Sequence, residues 1–339
     1  MEKELNMREP RWFAKDENGW KCLLCPRNCF FKKNSSSLGY CRVRGFKEGK
    51  PYLPGYGECV SLVVDPIEKK PLYHFLPGSS ILSTGPAGCN LSCDFCQNWS
   101  ISQNKGVPTR YASPEDLTEM SLTGESRGIA FTYTEPTIWY EYIADSAPLV
   151  RQKGGAVVMV SNGEINLDPL LKLIEITDAW NVDLKSWSDG FYNKHCGGNR
   201  DTVLQTIRTL ARSSCHLEIT FLIIPQENDD PGEWREMAEW ISGECGSDTV
   251  LHISRYFPRY KLRQQPTRID TLQKAREVFS NKLHHVYIGN VALEKSDTFC
   301  PSCGALCIER NRWRVSTDGM TDGKCASCGH SLNIVYEIG

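Results

Sequence analysis

Residues 81–96 read ILSTGPAGCNLSCDFC, and the interpretation of the whole chain starts from them. A short β-rich run leads into a loop that carries Cys89, Cys93 and Cys96 within eight residues. A structural zinc site uses four ligands, and no histidine lies within the twenty residues after Cys96 to complete one. Three thiolates on a [4Fe-4S] cluster leave one iron free to bind a substrate or cofactor. The spacing therefore favours an open iron-sulfur site.

The chain around this loop alternates between two patterns from about residue 80 onward. Short apolar, β-rich runs are followed by helical stretches, which is typical of βα units around a parallel sheet. We predict strands at residues 81–85, 128–134, 156–161, 179–185, 217–225, 250–257 and 285–291. We predict helices at residues 114–122, 137–152, 169–176, 202–213, 232–242 and 268–281. The expected fold is α/β, a partial TIM-like (β/α)6 barrel over residues 80–294, open or closed.

The flanking segments, residues 1–79 and 295–339, lack this alternation and carry the other two cysteine groups. Short segments bury too little apolar surface to fold alone, so we expect two small metal-binding modules. In the C-terminal segment, two C-x2-C-G turns supply four thiolates around a predicted hairpin. The ligands would be Cys300, Cys303, Cys325 and Cys328. Such a site holds zinc or a single rubredoxin-type iron, and only iron could relay electrons.

The N-terminal group has a tight first half and a remote fourth member: Cys22, Cys25, Cys29 and Cys41. This spacing is compatible with zinc or with a second [4Fe-4S] cluster. A second cluster would suit electron delivery or substrate contact.

Five cysteines lie outside the three groups. A closed four-cysteine site at the central loop would have to borrow Cys59 or Cys196, which is the alternative to an open cluster. Otherwise Cys59, Cys215 and Cys245 are expected to be inert, and Cys307 to be a small buried apolar residue. Cys196 could reach the barrel mouth, although a lone cysteine is more often structural.

Composition limits the classes of function. Sixteen cysteines in 339 residues are many for the cytosol, where thiols stay reduced, so metal binding is their leading use. The first residues are charged, and no apolar run is long enough to cross a bilayer. We therefore expect a cytoplasmic protein without a membrane partner. With 39 basic and 41 acidic residues, nothing global favours nucleic acid.

The C-x3-C-x2-C spacing after a strand and the TGPAG loop resembles the radical S-adenosylmethionine (SAM) superfamily. The resemblance implies that Cys89, Cys93 and Cys96 hold a [4Fe-4S] cluster that cleaves SAM reductively, releasing methionine and a 5′-deoxyadenosyl radical. In such enzymes the cofactor carries the difficult chemistry and the protein orients it.

The same resemblance assigns the SAM contacts. Phe95 stands where relatives carry an aromatic contact to adenine. Thr134 and Glu135, in FTYTEP, stand where the superfamily carries a GGE-type motif for the SAM amino group, here without its glycines. Other polar residues at predicted strand ends could meet the ribose and the methionine carboxylate at one mouth. They are Ser161, Asn162, Gly163, Asp183, Lys185 and His252. Each alone could be an ordinary rim residue.

Several longer stretches, including CLLCPRNC, DPIEKKPLYHFLPG, FTYTEPTIWYEY and HISRYFPRYK, resemble the radical SAM protein of the AmmeMemoRadiSam system. Members of that family are related to pyruvate formate-lyase activating enzymes. The resemblance implies Memo-like and AMMECR-like partner proteins, and the reaction implies an electron donor such as ferredoxin or flavodoxin. It names no substrate.

Three functions are therefore open. The first is a radical SAM enzyme that abstracts hydrogen from a peptide or small molecule, and the second is a glycyl-radical-enzyme activase. The third is a zinc-ribbon protein that binds or modifies RNA, because Arg310, Arg312, Arg314 and Trp313 would suit phosphate and base contacts. The near-neutral net charge argues against the third.

The segment DPIEKKPLYHF, residues 65–75, crowds charges just before the first barrel strand. One hypothesis is a solvated lead-in whose charges pair locally. The other is a cover over the barrel mouth that shields the radical or holds substrate.

Overall fold

An eight-stranded sheet organises the computed structural model, which describes residues 8–291, 295–311 and 314–338. Strands β2 to β8 are parallel, and β1 pairs with β2 in the antiparallel direction. The strands are β1 Val63–Pro66, β2 Ser80–Thr84, β3 Ser126–Phe131, β4 Ala156–Ser161, β5 Ala179–Asp183, β6 His216–Ile223, β7 Val250–Arg255 and β8 Val286–Gly289. All seven predicted parallel strands are confirmed, with ends within three residues of the prediction.

Six helices connect the parallel strands, as the alternation predicts. They are α1 Pro114–Ser121, α2 Tyr140–Gln152, α3 Leu167–Ile174, α4 Arg200–Ala211, α5 Pro231–Cys245 and α6 Ile269–Ser280. Local chemistry marks where they begin: Ser113 and Asp116 form a capping box at α1, and the Asp230 carboxylate accepts two backbone N–H bonds at α5. Shorter helical turns are Ile67–Lys69, Trp99–Ser102, Pro136–Trp139, Asp189–Phe191 and Tyr192–Cys196.

The strands lie side by side in the order in which the chain makes them, from β1 to β8. Within the described residues, no backbone pairing joins β8 back to the β1 edge. The sheet is therefore a parallel α/β sheet with six βα units, and the pairing leaves it open. The carboxyl ends of β2 to β8 share one edge, where such folds place their active sites.

Apolar residues cover both faces of the sheet. Val157, Trp180 and Ile219 belong to the cluster that includes helix residues, and Ala156 and Ala179 belong to a second, inner cluster. Nearly continuous apolar strands such as AVVMVS follow from this double burial.

The inner cluster is completed by residues of the segment at 65–75. Ile67, Leu72 and Phe75 are buried against the first residues of β4 and β5, at the end of the sheet opposite the carboxyl ends. The Asn181 amide donates to Pro71 O over 2.7 Å, which anchors the segment inside the curved sheet. The segment is thus an interior plug: its charges pair locally, as the lead-in hypothesis held, and Lys69 is exposed, but its apolar side chains are buried at the end of the sheet opposite the mouth.

The N-terminal module consists of short antiparallel strands. They are Phe13–Asp16, Gly19–Cys22 and Phe30–Lys32 in one sheet, Ser37–Leu38, Gly45–Lys47 and Lys50–Tyr52 in a second, and Glu58–Cys59 paired with Arg110–Tyr111. The C-terminal module has strands Thr298–Phe299, Leu306–Asn311, Arg314–Ser316, Met320–Thr321 and Lys324–Cys325. Leu306–Asn311 and Arg314–Ser316 form the predicted hairpin.

The C-terminal module packs against the plug and the residue that follows it. Leu76 N donates to Val335 O over 2.7 Å, and Val335 N donates to His74 O over 2.8 Å. The Arg310 guanidinium lies 4.7 Å from the centre of the Tyr73 ring and donates to Ser296 O. Arg310 is therefore engaged with the barrel, which removes it from the basic strip expected to contact RNA. Arg312 and Trp313 of that strip lie outside the described residues.

Membrane insertion has no support from the helices. Across the described residues, none of them is both long and apolar enough to span a bilayer.

Candidate active site

The three central cysteines lie in the loop between β2 and the helical turn Trp99–Ser102. Two glycines let this loop pass close to other backbone. A Cβ at Gly85 would lie 2.1 Å from Thr132 O, and one at Gly88, where φ is +143°, would lie 2.1 Å from Cys41 O. The glycines of TGPAG are thus required by close approach.

Backbone hydrogen bonds hold the loop on its other side. Ser92 N donates to Cys196 O over 3.0 Å, and Asp94 N donates to His195 O over 2.9 Å. Asp94 O accepts from the amides of Lys261 and Leu262. The loop is therefore fixed between the turns that follow β5 and β7.

The thiols sit among hydrogen-bond donors. Cys89 Sγ accepts from Leu91 N over 3.3 Å, and Cys96 Sγ lies 3.3 Å from Ser102 Oγ. A hydrogen bond from the Cys196 thiol lowers the pKa of Cys93 below that of an ordinary thiol, against its burial. Burial raises the pKa of Cys89 and of Cys96, and the donors beside their sulfurs, Leu91 N and Ser102 Oγ, oppose that rise. Such donors favour the thiolate form, which is the form that binds iron.

The spacing of sulfur atoms separates two kinds of cysteine group. In one group only, among the residues the structure describes, do three or more Cys, His, Asp or Glu ligand atoms all lie within 4.8 Å of one another: Cys300, Cys303, Cys325 and Cys328. Its sulfur pairs are 3.6 and 3.7 Å apart. A tetrahedral ion with metal–sulfur bonds of about 2.3 Å separates its sulfurs by about 3.8 Å. This group therefore fits one ion.

The central cysteines do not form such a compact group, with or without a fourth thiol. The Cys59 thiol donates to Gly57 O over 3.5 Å, and Cys196 is fully buried. The structure therefore does not support a closed single-ion site at the central loop.

Glu135 lies four residues past the end of β3, after the chain has turned out of the strand through Tyr133 at φ +71°. This turn ends β3 three residues before the predicted end. Thr134 Oγ1 donates to Pro86 O over 2.8 Å, so it contacts the cysteine loop. Glu135 is completely buried and accepts hydrogen bonds from Thr137 N, Ser161 Oγ and Asn162 N. Burial raises the pKa of Glu135, and these donors oppose the rise.

The residues after β4 connect Glu135 to the cysteine loop. The Asn162 side-chain amide donates to Asn90 Oδ1 over 2.9 Å and lies 3.7 Å from Cys89 Sγ. Gly163, at φ +76°, donates its N–H to Ser161 Oγ over 3.0 Å. Asn90 was not predicted as a site residue, although its place beside Cys89 could have suggested it.

Asp183 and Lys185 end the next strand and form an ion pair of 2.9 Å. Lys185 N donates to the Tyr192 hydroxyl over 3.0 Å. Phe95 is only 5% exposed, and its ring packs 5.6 Å from that of Phe191. These residues border the cysteine loop, but the face that Phe95 offers to a ligand is small.

His252 does not lie at the mouth, which corrects the prediction. It is the third residue of β7, and the strand continues to Arg255. Its Nε2 lies 2.6 Å from Glu218 Oε2, and Glu218 also accepts from Tyr73 N, His74 N and His216. The histidine belongs to a buried polar cluster around the plug. A neighbouring strand supplies its partner, which no local pattern reveals.

A second polar group lies in the charge-rich segment at residues 65–75, which the sequence analysis singled out. Lys70, in the plug, is 2% exposed and pairs with Asp65 at 2.9 Å. The Tyr133 hydroxyl donates to the same carboxylate over 3.2 Å. The plug therefore contributes charges near the chain that leaves β3, and the charge-rich sequence DPIEKK was the available signal.

Known proteins that are similar to this chain include one family and several relatives. Residues 85–241 match the Radical SAM superfamily. The chain is 40% identical over 338 residues to the uncharacterized protein MJ0808 of Methanocaldococcus jannaschii, covering 97% of this chain and 100% of the relative. It is 23% identical to the pyruvate formate-lyase 1-activating enzyme of Escherichia coli K12, covering 59% of this chain and 88% of that enzyme. Residues 85–241 therefore form a radical SAM domain, and the chain is an enzyme.

Among solved structures, a domain of a pyruvate-formate lyase-activating enzyme from Bacteroides vulgatus is similar with a TM-score of 0.44 and 18% identity. The match covers 48% of this chain and 99% of that domain. The radical SAM domain implies a [4Fe-4S] cluster and SAM as cofactors.

Proposed function

We propose that this enzyme binds a [4Fe-4S] cluster through Cys89, Cys93 and Cys96 and abstracts a hydrogen atom from a peptide or small-molecule substrate. When bound, the cluster and SAM together supply a 5′-deoxyadenosyl radical. The observation that carries the proposal is the open group of three thiols at the carboxyl edge of the sheet. The residues present fit the cluster because hydrogen-bond donors surround the sulfurs and no compact single-ion site forms there.

The SAM-binding roles follow from position. Glu135 accepts three bonds from the protein, and a carboxylate offers about four acceptor sites, so little capacity remains for a ligand. Its main role in this proposal is to hold Ser161 and Asn162 beside Cys89. Thr134, Gly163 and the Phe95 ring complete the SAM contacts.

Polar groups on the inner face of the sheet orient the substrate. Asp183 shares its strand face with Asn181, whose side chain contacts the plug, since side chains alternate along a strand. Lys185 neutralises Asp183, and the Lys70–Asp65 pair adds a second ion pair on the plug. These pairs favour a polar substrate and keep charged groups satisfied once water is excluded.

One narrower function has a specific observation in its favour. The similarity to the E. coli pyruvate formate-lyase 1-activating enzyme supports activation of a glycyl-radical protein. In that case the substrate would be a glycine in a partner protein. Memo-like and AMMECR-like proteins, which the sequence resemblance suggests, are the other candidate partners. A ferredoxin or flavodoxin would supply the electron.

Anaerobic reconstitution of the full chain tests the proposal. With SAM and dithionite, the wild-type protein should form 5′-deoxyadenosine. Cys93→Ala should abolish this product because one cluster ligand is lost. The matched control is Cys245→Ala, at the end of α5 and outside the three cysteine groups, which should retain it. Product formation by Cys93→Ala at the wild-type rate would refute the assignment.

A further inference from the structure

The four N-terminal cysteines form a site separate from the central loop. Cys22, Cys25 and Cys41 are buried and Cys29 is half-buried. Although up to nineteen residues apart in sequence, they line one cavity. Apolar side chains, including Phe31 and Ile138, complete its wall. Four thiols facing one enclosed space indicate a bound inorganic group.

The distances between their sulfurs distinguish a single ion from a cluster. No three of these thiols lie within 4.8 Å of one another, since among the described residues only the C-terminal group meets that limit. A cubane cluster spaces its thiolates more widely than a single ion does, because each thiolate binds a different iron. Within the described residues, the N-terminal thiols, like Cys89, Cys93 and Cys96, do not form a group compact enough for a single ion. The C-terminal group, with sulfurs 3.6 and 3.7 Å apart, is the contrasting case within the same chain.

An unsatisfied donor belongs to a residue that lines the same cavity. Arg44 lines the cavity and is 2% exposed, and its Nη1 pairs with Glu141 at 2.5 Å. Among the described residues, its Nε has no hydrogen-bond partner. A buried guanidinium N–H without an acceptor is costly. A [4Fe-4S] group with four thiolates is negatively charged and offers sulfur acceptors, which would satisfy it.

We propose that Cys22, Cys25, Cys29 and Cys41 hold a second [4Fe-4S] cluster that donates one electron to the central cluster. All four of its irons have a protein thiolate, so none is open to a substrate, which favours electron transfer as its role. The electron-transfer part rests on the proposed function, whereas the cluster assignment does not.

The two sites are in direct contact. Cys41 O lies against Gly88, where even a methyl group would not fit. Asn90 lines the N-terminal cavity and follows Cys89, and its carbonyl accepts from Arg27 Nε over 2.8 Å. On the other side, Arg42 donates to Ser102 O over 2.5 Å, and Ser102 Oγ lies 3.3 Å from Cys96 Sγ. A short path therefore joins the two groups of ligands.

The electron balance is simple. An external low-potential donor of the ferredoxin or flavodoxin class reduces the N-terminal cluster from the 2+ to the 1+ state. That cluster returns to 2+ as the central cluster is reduced from 2+ to 1+. One electron passes at each step and no proton moves.

Iron and sulfide content test the cluster assignment without any enzymatic turnover. The reconstituted wild-type chain should hold about eight irons and eight sulfides in its clusters. The triple variant Cys89→Ala, Cys93→Ala, Cys96→Ala leaves the N-terminal group untouched and should keep about half of both. If the triple variant holds zinc instead of iron and sulfide at the N-terminal cysteines, the cluster assignment is wrong, even if the wild type cleaves SAM normally.

Electron paramagnetic resonance gives an independent readout on the same triple variant. After reduction with dithionite, it should retain the signal of a 1+ cluster, and SAM should not alter that signal because every iron is already ligated. In the wild type, SAM should perturb only part of the spectrum. A silent triple variant, or a signal that shifts with SAM, would overturn the assignment of a fully ligated cluster.

The choice of reductant tests the electron-transfer role. The double variant Cys25→Ala, Cys41→Ala should cleave SAM with dithionite, which reaches the central cluster directly, but at least tenfold more slowly than wild type with reduced flavodoxin. The control Cys59→Ala, Cys245→Ala should match wild type with both reductants. If the double variant cleaves SAM as fast as wild type with dithionite and also with reduced flavodoxin, the electron-transfer role is wrong. If the double variant does not fold, Cys29→Ser at the half-buried position takes its place with the same expectation.

Discussion

Glu135 Oε2 accepts a hydrogen bond of 2.7 Å from Asn162 N, which joins the ends of β3 and β4 at the candidate active site. The carboxylate faces three donors in a completely buried position. Its neighbour Asn162 in turn contacts Asn90 and Cys89. The buried Glu135 carboxylate therefore holds the polar residues that follow β4 in contact with the cysteine loop.

Glu135→Gln should destabilise this edge. The new NH2 group would face an N–H donor, leaving buried donors unpaired at a cost of about 1–3 kcal/mol. Urea denaturation should report this loss, and equilibrium dialysis should show weaker SAM binding. Glu175→Gln, which removes an exposed pair with Lys172, serves as the control and should change stability by less than about 1 kcal/mol. Equal stability of the two variants would contradict the role of Glu135.

Gly88→Ala should separate the N-terminal module from the cysteine loop. Its Cβ would meet Cys41 O at 2.1 Å, at a φ of +143° that L residues rarely adopt. Iron content after reconstitution should fall, and the melting temperature should drop. The control is Gly106→Ala, at φ +68° with open space around it, which should cost only about 1 kcal/mol of backbone strain. Full iron content in Gly88→Ala would argue against contact between the modules.

Cys196→Ala should lower the reduction potential of the central cluster without removing it. The Cys196 thiol lowers the pKa of Cys93, and donors to ligand sulfurs stabilise the reduced, more negative state. A net hydrogen bond of about 1 kcal/mol corresponds to roughly 40 mV for one electron. A spectroscopic redox titration measures the shift. Cys215→Ala, whose thiol bonds to Thr177 O at 3.1 Å instead, should leave the potential unchanged.

Arg310→Met should loosen the C-terminal module from the barrel. The guanidinium donates to Ser296 O and Thr298 Oγ1 and lies over the Tyr73 ring, so its loss should cost about 2 kcal/mol. Limited proteolysis should then release the module faster. Arg314 is exposed, so Arg314→Met is the control for this measurement.

The same control variant also tests the RNA hypothesis. If the protein binds RNA in a salt titration and Arg314→Met loses that binding, the RNA hypothesis is supported again.

His285 should contribute a loss of stability in mild acid. Burial lowers its pKa from 6.5 to about 4, so between these values the unfolded chain binds a proton that the folded protein does not. Stability is therefore complete above about pH 6.5 and falls as the pH drops toward 4, by up to about 3 kcal/mol from this group. His285→Gln should reduce this dependence in urea titrations from pH 7 to 4. The His74 ring lies 4.5 Å from the His285 ring, and burial also lowers the pKa of His74. His74 should therefore account for the pH dependence of stability that remains in His285→Gln.

The exposed neighbour provides the control for that measurement. His284 lies one residue earlier and pairs with Asp248 on the surface. His284→Gln should leave the pH dependence almost unchanged. A pH profile altered equally by both substitutions would show that burial of His285 is not its cause.

The barrel elements were predictable because their signals are local. Alternating apolar runs, the Ser113 cap and the proline at the start of α1 all act within a few residues of one another. The spacing of Cys89, Cys93 and Cys96 likewise depends on one short loop. Residues 135, 161 and 162 were placed correctly at one edge because parallel strands end together.

The errors arose where a partner lies far along the chain. His252 is buried against Glu218, which lies on a neighbouring strand and also accepts hydrogen bonds from the backbone of residues 73 and 74. The plug could not be recognised from DPIEKKPLYHF, because charges that pair inside a barrel look the same in sequence as charges in solvent.

Chain order and cysteine spacing alone were enough to give the succession of strands and helices, the three groups of thiols and the superfamily. The three-dimensional path was needed to bring Cys41 against Gly88, to set Cys196 beside Cys93, and to separate a compact four-sulfur group from a wide one. The physical reason is that secondary structure and loop chemistry arise from neighbours in sequence. The distance between two sulfurs, by contrast, depends on how every intervening element packs.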